Sequence, residues 1–194
     1  MELHFHRQDN SDIKKRIAAA AAALVSDGET LFINSGTTTY FTAIELKKRK
    51  NLNIVTNSLP VAMELGGVPS FRVVLLGGEI NTLYSFICGT NALEQLRQFK
   101  ADKTILSMDG IGEGCGLTTY HAEEAVVNRT MMERSRETII TADHTKIGYE
   151  SFSFVAELRA GLTLVTDGAK AEAASLDKIR KAGVCIILAD TQGK

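Results

Sequence analysis

Hydrophobic residues recur along the chain with two different periods. Near its start, Ile13, Ile17, Ala20 and Leu24 are three or four positions apart, the spacing that places side chains on one face of a helix. Short apolar runs without polar alternation follow, beginning at residues 31–33, and such runs are typical of strands covered on both faces. The two patterns alternate through the rest of the sequence.

The alternation predicts an α/β fold with a mostly parallel sheet and helices on both of its faces. Strands are expected at residues 31–33, 52–56, 71–76, 103–107, 138–142, 162–166 and 184–189, an extended piece at 83–87, and helices at 11–26, 38–48, 58–65, 90–99, 121–136 and 175–182. Residues 1–10 are interpreted as a linker or arm, 11–190 as one domain and 191–194 as a tail.

Polar residues and glycines follow several of the predicted strands. In open parallel sheets, ligands bind beyond the carboxyl ends of the strands, near the point where the strand order reverses. In this chain the strand ends supply the segments 34–39, 56–58, 77–79, 109–110 and 143–146. We therefore expect a ligand site along one edge of the sheet.

The segment Asn34–Thr39 indicates what the ligand is. It reads Asn-Ser-Gly-Thr-Thr-Thr and predicts a tight loop that leads from a strand into a helix N-terminus, where unpaired N–H groups favour a phosphate or carboxylate. Gly36 allows close approach of the backbone, and the hydroxyls of Ser35, Thr37, Thr38 and Thr39 add donors without charge. The segment is typical of a sugar-phosphate cradle, although Ser and Thr also cap helices for purely structural reasons.

Composition narrows the choice of ligands and partners. The formal net charge is -1, which gives no general attraction to nucleic acid, and there is no apolar run near the ~20 residues of a membrane span, so we expect a cytoplasmic protein. Residues 34–39 contain neither the Gly-Lys-Ser/Thr ending of a nucleotide P-loop nor the Gly-x-Gly-x-x-Gly motif of a dinucleotide site. We therefore do not expect a nucleoside triphosphate as the ligand. The three cysteines form no C-x-x-C pair, so we expect no metal and no cofactor.

Two charged residues at later strand ends are candidates for the same site. Asp109, followed by Gly110, can accept hydrogen bonds from sugar hydroxyls or serve as a base, or it can simply form a turn. Lys146 can neutralise a phosphate or pair with Asp143. The sequence leaves these alternatives open.

The region between these two residues is rich in glycine and acidic side chains. Residues 112–119 predict either a mobile lid over the pocket or a flexible connection. Glu123 and Glu124 fall in the first turn of the helix that follows, where carboxylates complement the helix dipole without a catalytic role. We do not expect His121 or His144 to be catalytic.

The ordered series of motifs resembles the effector-binding domain of the DeoR family of bacterial transcriptional regulators. The series is Ile-Asn-Ser-Gly-Thr-Thr-Thr, Val-Thr-Asn-Ser-Leu, Leu-Leu-Gly-Gly-Glu, Asp-Gly-Ile, Gly-Leu-Thr-Thr with a following Glu-Glu-Ala, and Ala-Asp-His-Thr-Lys-Ile-Gly. It covers residues 8–190, nearly the whole chain. As an ordered set it is far more specific than any single motif.

The resemblance implies a fold similar to ribose-phosphate isomerases, glucosamine-phosphate deaminases and CoA transferases. It implies a sensor of a phosphorylated sugar or related metabolite, in a homo-oligomeric regulator of carbohydrate metabolism genes. Members of the family reach the DNA operator through an N-terminal winged helix-turn-helix. No basic helix-turn-helix segment precedes residue 11, so we expect DNA binding only through a part that this chain lacks.

The resemblance also assigns residues to the site. Ser35 to Thr39 match the phosphate loop, Asp109 the acid that faces the sugar, Glu124 an acid of the lid helix and Lys146 the lysine of the late loop. The complete expected ligand-binding set is Ser35, Gly36, Thr37, Thr38, Thr39, Asn57, Gly77, Gly78, Asp109, Gly110, Glu124 and Lys146. One departure is His144, where the family usually has Ser; it can alter ligand choice or point outward.

Two other functions compete with the sensor. One is a sugar-phosphate isomerase or deaminase that uses Asp109 and Glu124 as acid and base. Ribose-phosphate isomerases have a Lys-Gly-rich segment after the acidic motif, whereas this chain has Ile-Gly-Glu at residues 111–113, so we expect no catalytic residues. The other is a domain kept only for oligomerisation.

Overall fold

A computed structural model describes residues 11–167 and 173–189. The predicted arm at residues 1–10 and the predicted tail at residues 191–194 lie outside the described residues. None of the described helices has the length and apolar content that crossing a membrane requires.

Strands and helices alternate along the described chain. The elements are α1 (Ser11–Ala23), β1 (Thr30–Ile33), α2 (Thr37–Leu46), β2 (Asn53–Thr56), α3 (Leu59–Leu65), β3 (Arg72–Leu75), β4 (Glu79–Asn81), β5 (Phe86–Cys88), α4 (Thr90–Leu96), β6 (Ala101–Ser107), β7 (Gly110–Gly112), β8 (Gly116–Thr119), α5 (Ala122–Glu133), β9 (Ser135–Thr141), a 3-10 helix (His144–Lys146), β10 (Ser153–Ala156), β11 (Leu162–Thr166), α6 (Ala173–Lys181) and β12 (Cys185–Leu188).

Seven of the strands form a single sheet in the order β12-β11-β9-β6-β1-β2-β3. Every neighbouring pair in this sheet is parallel. The chain leaves β1 toward β2 on one side and later returns to β6 on the other side. The strand order therefore reverses between β1 and β6, which is where open parallel sheets bind their ligands.

Helices cover both faces of this sheet, which confirms the predicted fold class. Successive strand residues point to opposite faces, so Phe32 packs in one core, while Leu31 and Ile33 pack in the other. The core on one face includes buried residues of α1, α2 and α3, and the core on the other includes buried residues of α4, α5 and α6. Each fully buried aliphatic side chain stabilises the fold by roughly 1.5–3 kcal/mol.

The long helix predicted at residues 121–136 is wrong at its end. The structure ends α5 at Glu133, Arg134 leaves helical geometry, and β9 starts at Ser135. The first residues of β9 include the exposed, charged Arg136 and Glu137, and the ladder to β6 starts where Ala101 faces Ser135. These polar residues lie at the solvent-exposed start of the strand. In the sequence they resemble the last turn of the preceding helix, which is why the helix was predicted to be too long.

The glycine-rich segment at residues 112–119, predicted as a mobile lid or a flexible connection, is folded as a turn and a strand. It holds the turn of an antiparallel pair, in which β7 pairs with β8, and β10 pairs with the other side of β8. Gly114 adopts φ +86° and Gly116 φ +65°, and a Cβ on Gly116 would lie 2.4 Å from the Ala156 carbonyl oxygen. The glycines therefore provide a tight turn and a close strand contact.

A second small sheet lies beside the same region. The extended piece predicted at residues 83–87 is shifted, since the strand is β5, and β5 pairs antiparallel with β4. The sequence analysis does not predict strands β4, β7, β8 and β10, which are three or four residues long; β4, β7 and β8 also have no apolar run of their own. Thr119 of β8 and Phe86 of β5 line the pocket at the carboxyl edge of the main sheet.

Candidate functional site

A cavity of about 550 Å³ opens at the carboxyl ends of β1, β6 and β9. This volume is in the usual range for small-molecule sites. Its lining includes Lys14, Ser35, Gly36, Thr37, Thr38, Ser58, Tyr84, Ser107, Asp109, Thr119, Tyr120, His121, Glu124, Asp143, Thr145, Lys146 and Tyr149. The cavity thus lies where the strand order of the sheet reverses.

The first turn of α2 opens into one end of this cavity. Gly36 is the N-cap of the helix, and it has no side chain that could accept a hydrogen bond from the first turn. Ser35, Thr37 and Thr38 line the cavity beside it. The first N–H groups of a helix have no acceptor within the helix, and the helix dipole adds partial positive charge there. This end of the cavity is therefore suited to an anionic group.

Gly36 is required by a close contact with the neighbouring strand. A Cβ at this position would lie 1.9 Å from Oγ and 3.1 Å from Cβ of Ser107, the last residue of β6. The backbone of Gly36 is extended, with φ 160°, so it needs no glycine for conformational reasons. The loop can approach β6 only because residue 36 has no side chain.

Asn34 fastens this loop to the rest of the site. Its side-chain amide donates to the Ser107 carbonyl at 3.0 Å and to Asn128 Oδ1 at 3.1 Å, and its Oδ1 accepts from the Ser107 N–H at 2.9 Å. The side chain is completely buried. Asn34 therefore fixes the end of β1 against the end of β6 and against α5.

Asp109 and Lys146 lie together on the cavity wall. Lys146 Nζ is 3.9 Å from Asp109 Oδ1, and both side chains are partly exposed. Asp109 Oδ2 accepts a hydrogen bond from the Tyr120 N–H at 3.0 Å. The 3-10 helix that carries Lys146 is capped by Asp143, whose Oδ1 accepts from the Thr145 N–H at 3.0 Å. Asp143 thus positions the loop and does not pair with Lys146.

Glu124 is a buried acid in the same wall. It is 8% exposed, and its Oε2 lies 3.0 Å from Thr119 Oγ1, which is also 3.0 Å from Asp109 Oδ2. Burial, and then the negative charge of Asp109, raise the pKa of Glu124 from 4.5 to about 8. Glu124 was predicted to complement the helix dipole as an ordinary carboxylate. In the structure it is instead a buried acid with a raised pKa.

Two of the expected polar site residues lie outside the cavity lining. Thr39 is fully buried, and its hydroxyl contacts the carbonyls of Asn34 and Gly36, each at 3.0 Å, so it shapes the loop. Asn57 is also buried and donates to the Ile87 carbonyl at 3.1 Å, which ties the end of β2 to β5.

Three of the expected glycines also lie outside the lining. Gly77 donates its N–H to Gln95 Oε1 at 2.9 Å, and Gly78 lies against β5, where a Cβ would be 2.4 Å from the Cys88 carbonyl oxygen. Gly110 is buried in β7, and its carbonyl accepts from Thr118 Oγ1 at 3.2 Å. All three glycines follow predicted strands in the sequence. Gly77 and Gly78 follow β3, which lies at the far edge of the main sheet, and Gly110 belongs to β7, which pairs with β8.

The two histidines have different surroundings. His121 lines the cavity, and its ring packs edge-on against Tyr84 at 4.7 Å and Tyr120 at 5.1 Å. His144 is not part of the lining. Its Nδ1 lies 2.7 Å from Oδ2 of Asp167, and its backbone N–H donates to the other oxygen of the same carboxylate. His144 therefore joins the ends of β9 and β11 and does not point outward.

Several lining residues were not anticipated from the sequence. Ser107, Thr119, Tyr120 and Tyr149 all face the cavity. Thr119 belongs to the segment predicted as a mobile lid or a flexible connection, Tyr120 lies outside every predicted element, and Tyr149 follows the 3-10 helix without any motif of its own. Their positions depend on the β7-β8-β10 sheet, which the sequence pattern did not predict.

A family model and curated relatives match this chain. The model described as the DeoR C terminal sensor domain matches residues 9–168. The chain is 32% identical over 157 residues to the HTH-type transcriptional repressor GlcR of Bacillus subtilis, covering 81% of the chain and 60% of the relative. It is 36% identical over 145 residues to the glycerol-3-phosphate regulon repressor of Escherichia coli, covering 75% of the chain and 58% of the relative. The chain thus spans about three fifths of the length of these relatives.

The fold is similar to that of solved isomerases. Ribose 5-phosphate isomerase A from Neisseria gonorrhoeae matches with a TM-score of 0.53 and 17% sequence identity, over 76% of this chain and 56% of the isomerase. At this identity the likeness establishes the fold and confirms the predicted fold similarity. Together, the matched family model and the repressor relatives show that the chain belongs to the DeoR family, as its C-terminal sensor domain.

Proposed function

We propose that this domain senses a phosphorylated sugar or polyol, and that binding of this metabolite alters DNA binding by the intact regulator. The phosphate binds at the N-terminus of α2, and the hydroxylated part of the ligand extends toward Asp109, Glu124 and Lys146. In the intact protein, a helix-turn-helix outside this chain contacts the operator. The regulator acts in the cytoplasm as a homo-oligomer.

The observation that carries this proposal is the uncapped start of α2 inside a cavity of about 550 Å³. A phosphate there accepts hydrogen bonds from the free N–H groups and from the hydroxyls of Thr37 and Thr38. Ser107 and Asn34 hold the loop in place without any ligand. The anion site is therefore formed before binding, which lowers the entropic cost of binding.

The names of the relatives support this class of ligand. One is a repressor of the glycerol-3-phosphate regulon, and another is the transcriptional repressor GlcR. A ligand changes DNA binding only if it binds one state of the regulator more tightly than the other. We propose that Asp109 and Lys146 supply this difference, because a ligand that contacts both touches two separate loops of the cavity wall.

Thermal unfolding in the presence of phosphorylated metabolites tests the proposal. The screen contains glycerol 3-phosphate, ribose 5-phosphate, fructose 6-phosphate, glucose 6-phosphate and glucosamine 6-phosphate. At about 100 times its Kd, a bound metabolite stabilises the folded state by about 2.7 kcal/mol. We expect at least one compound to raise the Tm and the corresponding unphosphorylated compound to leave it unchanged. No shift with any phosphorylated compound would favour a domain kept for oligomerisation alone.

Two variants locate the binding site. Thr37→Glu places a carboxylate where the phosphate is expected and should abolish the ligand-induced rise in Tm. Lys146→Ala should weaken binding by removing a cation from the wall. Lys50→Ala is the matched control, because Lys50 is exposed and does not line the cavity. If the first two variants bind as tightly as the wild type, the phosphate does not occupy this cavity.

One observation favours an isomerase or deaminase as the second candidate function. Glu124 has a pKa raised to about 8, near working pH, and it lies beside Asp109 in a cavity of an isomerase-like fold. The repressor relatives favour a sensor without catalysis. Incubation with the same sugar phosphates, followed by NMR, distinguishes the two: a new ketose or a released amine would establish an enzyme.

A further inference from the structure

Three side chains on the cavity wall share hydrogen bonds in a way that constrains their protonation. We call Asp109, Thr119 and Glu124 the carboxyl trio. Thr119 Oγ1 lies 3.0 Å from a carboxylate oxygen of Asp109 and 3.0 Å from one of Glu124. A hydroxyl has a single hydrogen to donate. If both acids were ionised, the Thr119 hydroxyl could donate to only one of them, and its other contact would bring two oxygens together without a hydrogen between them. Both contacts are hydrogen bonds only when the trio holds one additional proton.

The surroundings of the two acids place this proton on Glu124. Asp109 accepts the Tyr120 N–H at 3.0 Å and has Lys146 Nζ at 3.9 Å, and its side chain is 43% exposed. Glu124 is 8% exposed, and no ion pair to it occurs in the described part of the chain. Glu124 Oε2 therefore donates to Thr119, whose hydroxyl donates to Asp109.

With this proton, the wall around the trio carries little net charge. Glu124 is neutral, and the charge of Asp109 is opposed by Lys146. Both acids line the cavity, and each has a second oxygen that takes no part in the hydrogen bonds of the trio. Such a wall suits a ligand that presents uncharged hydroxyl groups, because the charges of Asp109 and Lys146 oppose each other and leave neither a free carboxylate for an ammonium group nor a free cation for a second anion.

We propose that the carboxyl trio binds the hydroxyl groups of an uncharged sugar or polyol phosphate only while Glu124 holds its proton, so that Glu124 selects against amino sugar phosphates. This inference rests on the proposed phosphate site at α2. Loss of the proton places a second negative charge in the wall of the cavity that holds the phosphate dianion. Binding then weakens as the pH rises through the range in which Glu124 ionises.

Other charged and titratable groups lie near Glu124. The charged and titratable groups on adjacent elements are Asp109, Lys146, Cys88, His121, Glu123 and Glu79. Burial, and then the nearby carboxylates, raise the pKa of Cys88, so its thiol stays protonated up to the same pH. The ligand phosphate, with a second pKa of about 6, is a dianion throughout.

Calorimetric titration between pH 7 and 9 tests the proposal. The ligand is the sugar phosphate without an amino group that binds best in the screen. For a site that requires a protonated group with a pKa near 8, Kd rises about tenfold across this range. In Glu124→Gln, a neutral side chain of the same shape, we expect Kd to change by less than about twofold. Glu123→Gln is the matched control, because Glu123 is exposed on the same helical turn, and it should behave as the wild type.

Titration of the ligand-free protein provides an independent measurement. In protein with ¹³C-labelled glutamate, the carboxyl signal that disappears in Glu124→Gln should titrate with a midpoint near pH 8. A midpoint near pH 4.5, the ordinary value, would contradict the shared proton.

The outcomes separate this inference from the proposed function. If Thr37→Glu abolishes binding but the wild-type Kd does not depend on pH, the phosphate site stands and the role of Glu124 is wrong. Tighter binding of glucosamine 6-phosphate than of glucose 6-phosphate at pH 7, where Glu124 holds its proton, would also overturn the inference. If no compound of the screen binds, both fail together.

Discussion

Glu124 combines an acidic side chain with almost complete burial. Most buried acids in proteins are paired with a cation, whereas Glu124 contacts a hydroxyl and lies near a second acid. Burying an ionised carboxylate without a cation is costly, so the folded state keeps the proton. A residue that the dipole of its helix could explain from sequence is therefore a buried acid with a raised pKa.

The stability of the ligand-free protein should depend on this proton. Between pH 4.5 and about 8, the unfolded chain releases the Glu124 proton and the folded chain retains it. Stability from this residue is therefore fully present below pH 4.5 and is lost as the pH rises to about 8. Relative to the wild type, Glu124→Gln should gain roughly 3–5 kcal/mol in unfolding free energy between pH 4.5 and 8.

Urea unfolding of both proteins at several pH values measures this difference. All other titrating groups are common to the two proteins, so their contributions cancel. A constant difference between the wild type and Glu124→Gln across this range would show that Glu124 ionises normally in the fold.

Gly36 gives a second prediction at the residue scale. Gly36→Ala should lower the free energy of unfolding by roughly 1–3 kcal/mol, because its Cβ would overlap Ser107. Ser107→Ala removes Oγ, the atom nearest to the new Cβ. When Gly36→Ala is introduced into Ser107→Ala, it should therefore cost about half as much unfolding free energy as it does in the wild type. Strictly additive losses in urea unfolding would show that this contact does not require glycine.

At the scale of elements, the main sheet was predictable and the small sheets were not. Each of the seven parallel strands contains an apolar run that produces a clear local pattern, and the runs of the five inner strands are buried. Strands β7, β8 and β10 pair through glycines and polar residues, and their register is set by contacts with each other. A glycine-rich segment such as 112–119 has the same composition whether it is flexible or forms a tight hairpin.

The candidate site divides in the same way. Ser35, Gly36, Thr37 and Thr38 follow a clear strand and lie in the cavity as expected. Gly77 and Gly78 also follow a strand, but that strand is at the edge of the sheet, and strand order cannot be read from sequence period alone. Thr119 and Tyr120 reach the cavity only through the hairpin, so no local pattern indicated them.

The β7-β8 turn offers a matched pair of glycines for testing the hairpin. Gly116→Ala combines a positive φ with a backbone atom 2.4 Å from the new Cβ, whereas Gly114→Ala has a positive φ and open space around it. We expect Gly114→Ala to cost about 1 kcal/mol and Gly116→Ala clearly more, because only Gly116 contacts β10. Equal losses in chemical denaturation would contradict the close contact between β8 and β10.

At the scale of the whole molecule, the site joins parts of the chain that are far apart in sequence. The α2 loop, the end of β6, the start of α5 and the 3-10 helix all contribute to one cavity. A ligand that contacts these parts stabilises the folded state as a unit. Any change in DNA binding follows only if the intact regulator has a second state in which these parts are arranged differently.

The position of the phosphate tests the central claim most directly. A crystal structure with the best-binding sugar phosphate of the screen should show phosphate oxygens about 2.7–3.2 Å from the backbone nitrogens at the start of α2. The sugar hydroxyls should lie against Asp109 and Glu124. A phosphate bound at Lys146, with the α2 amides unoccupied, would contradict the account.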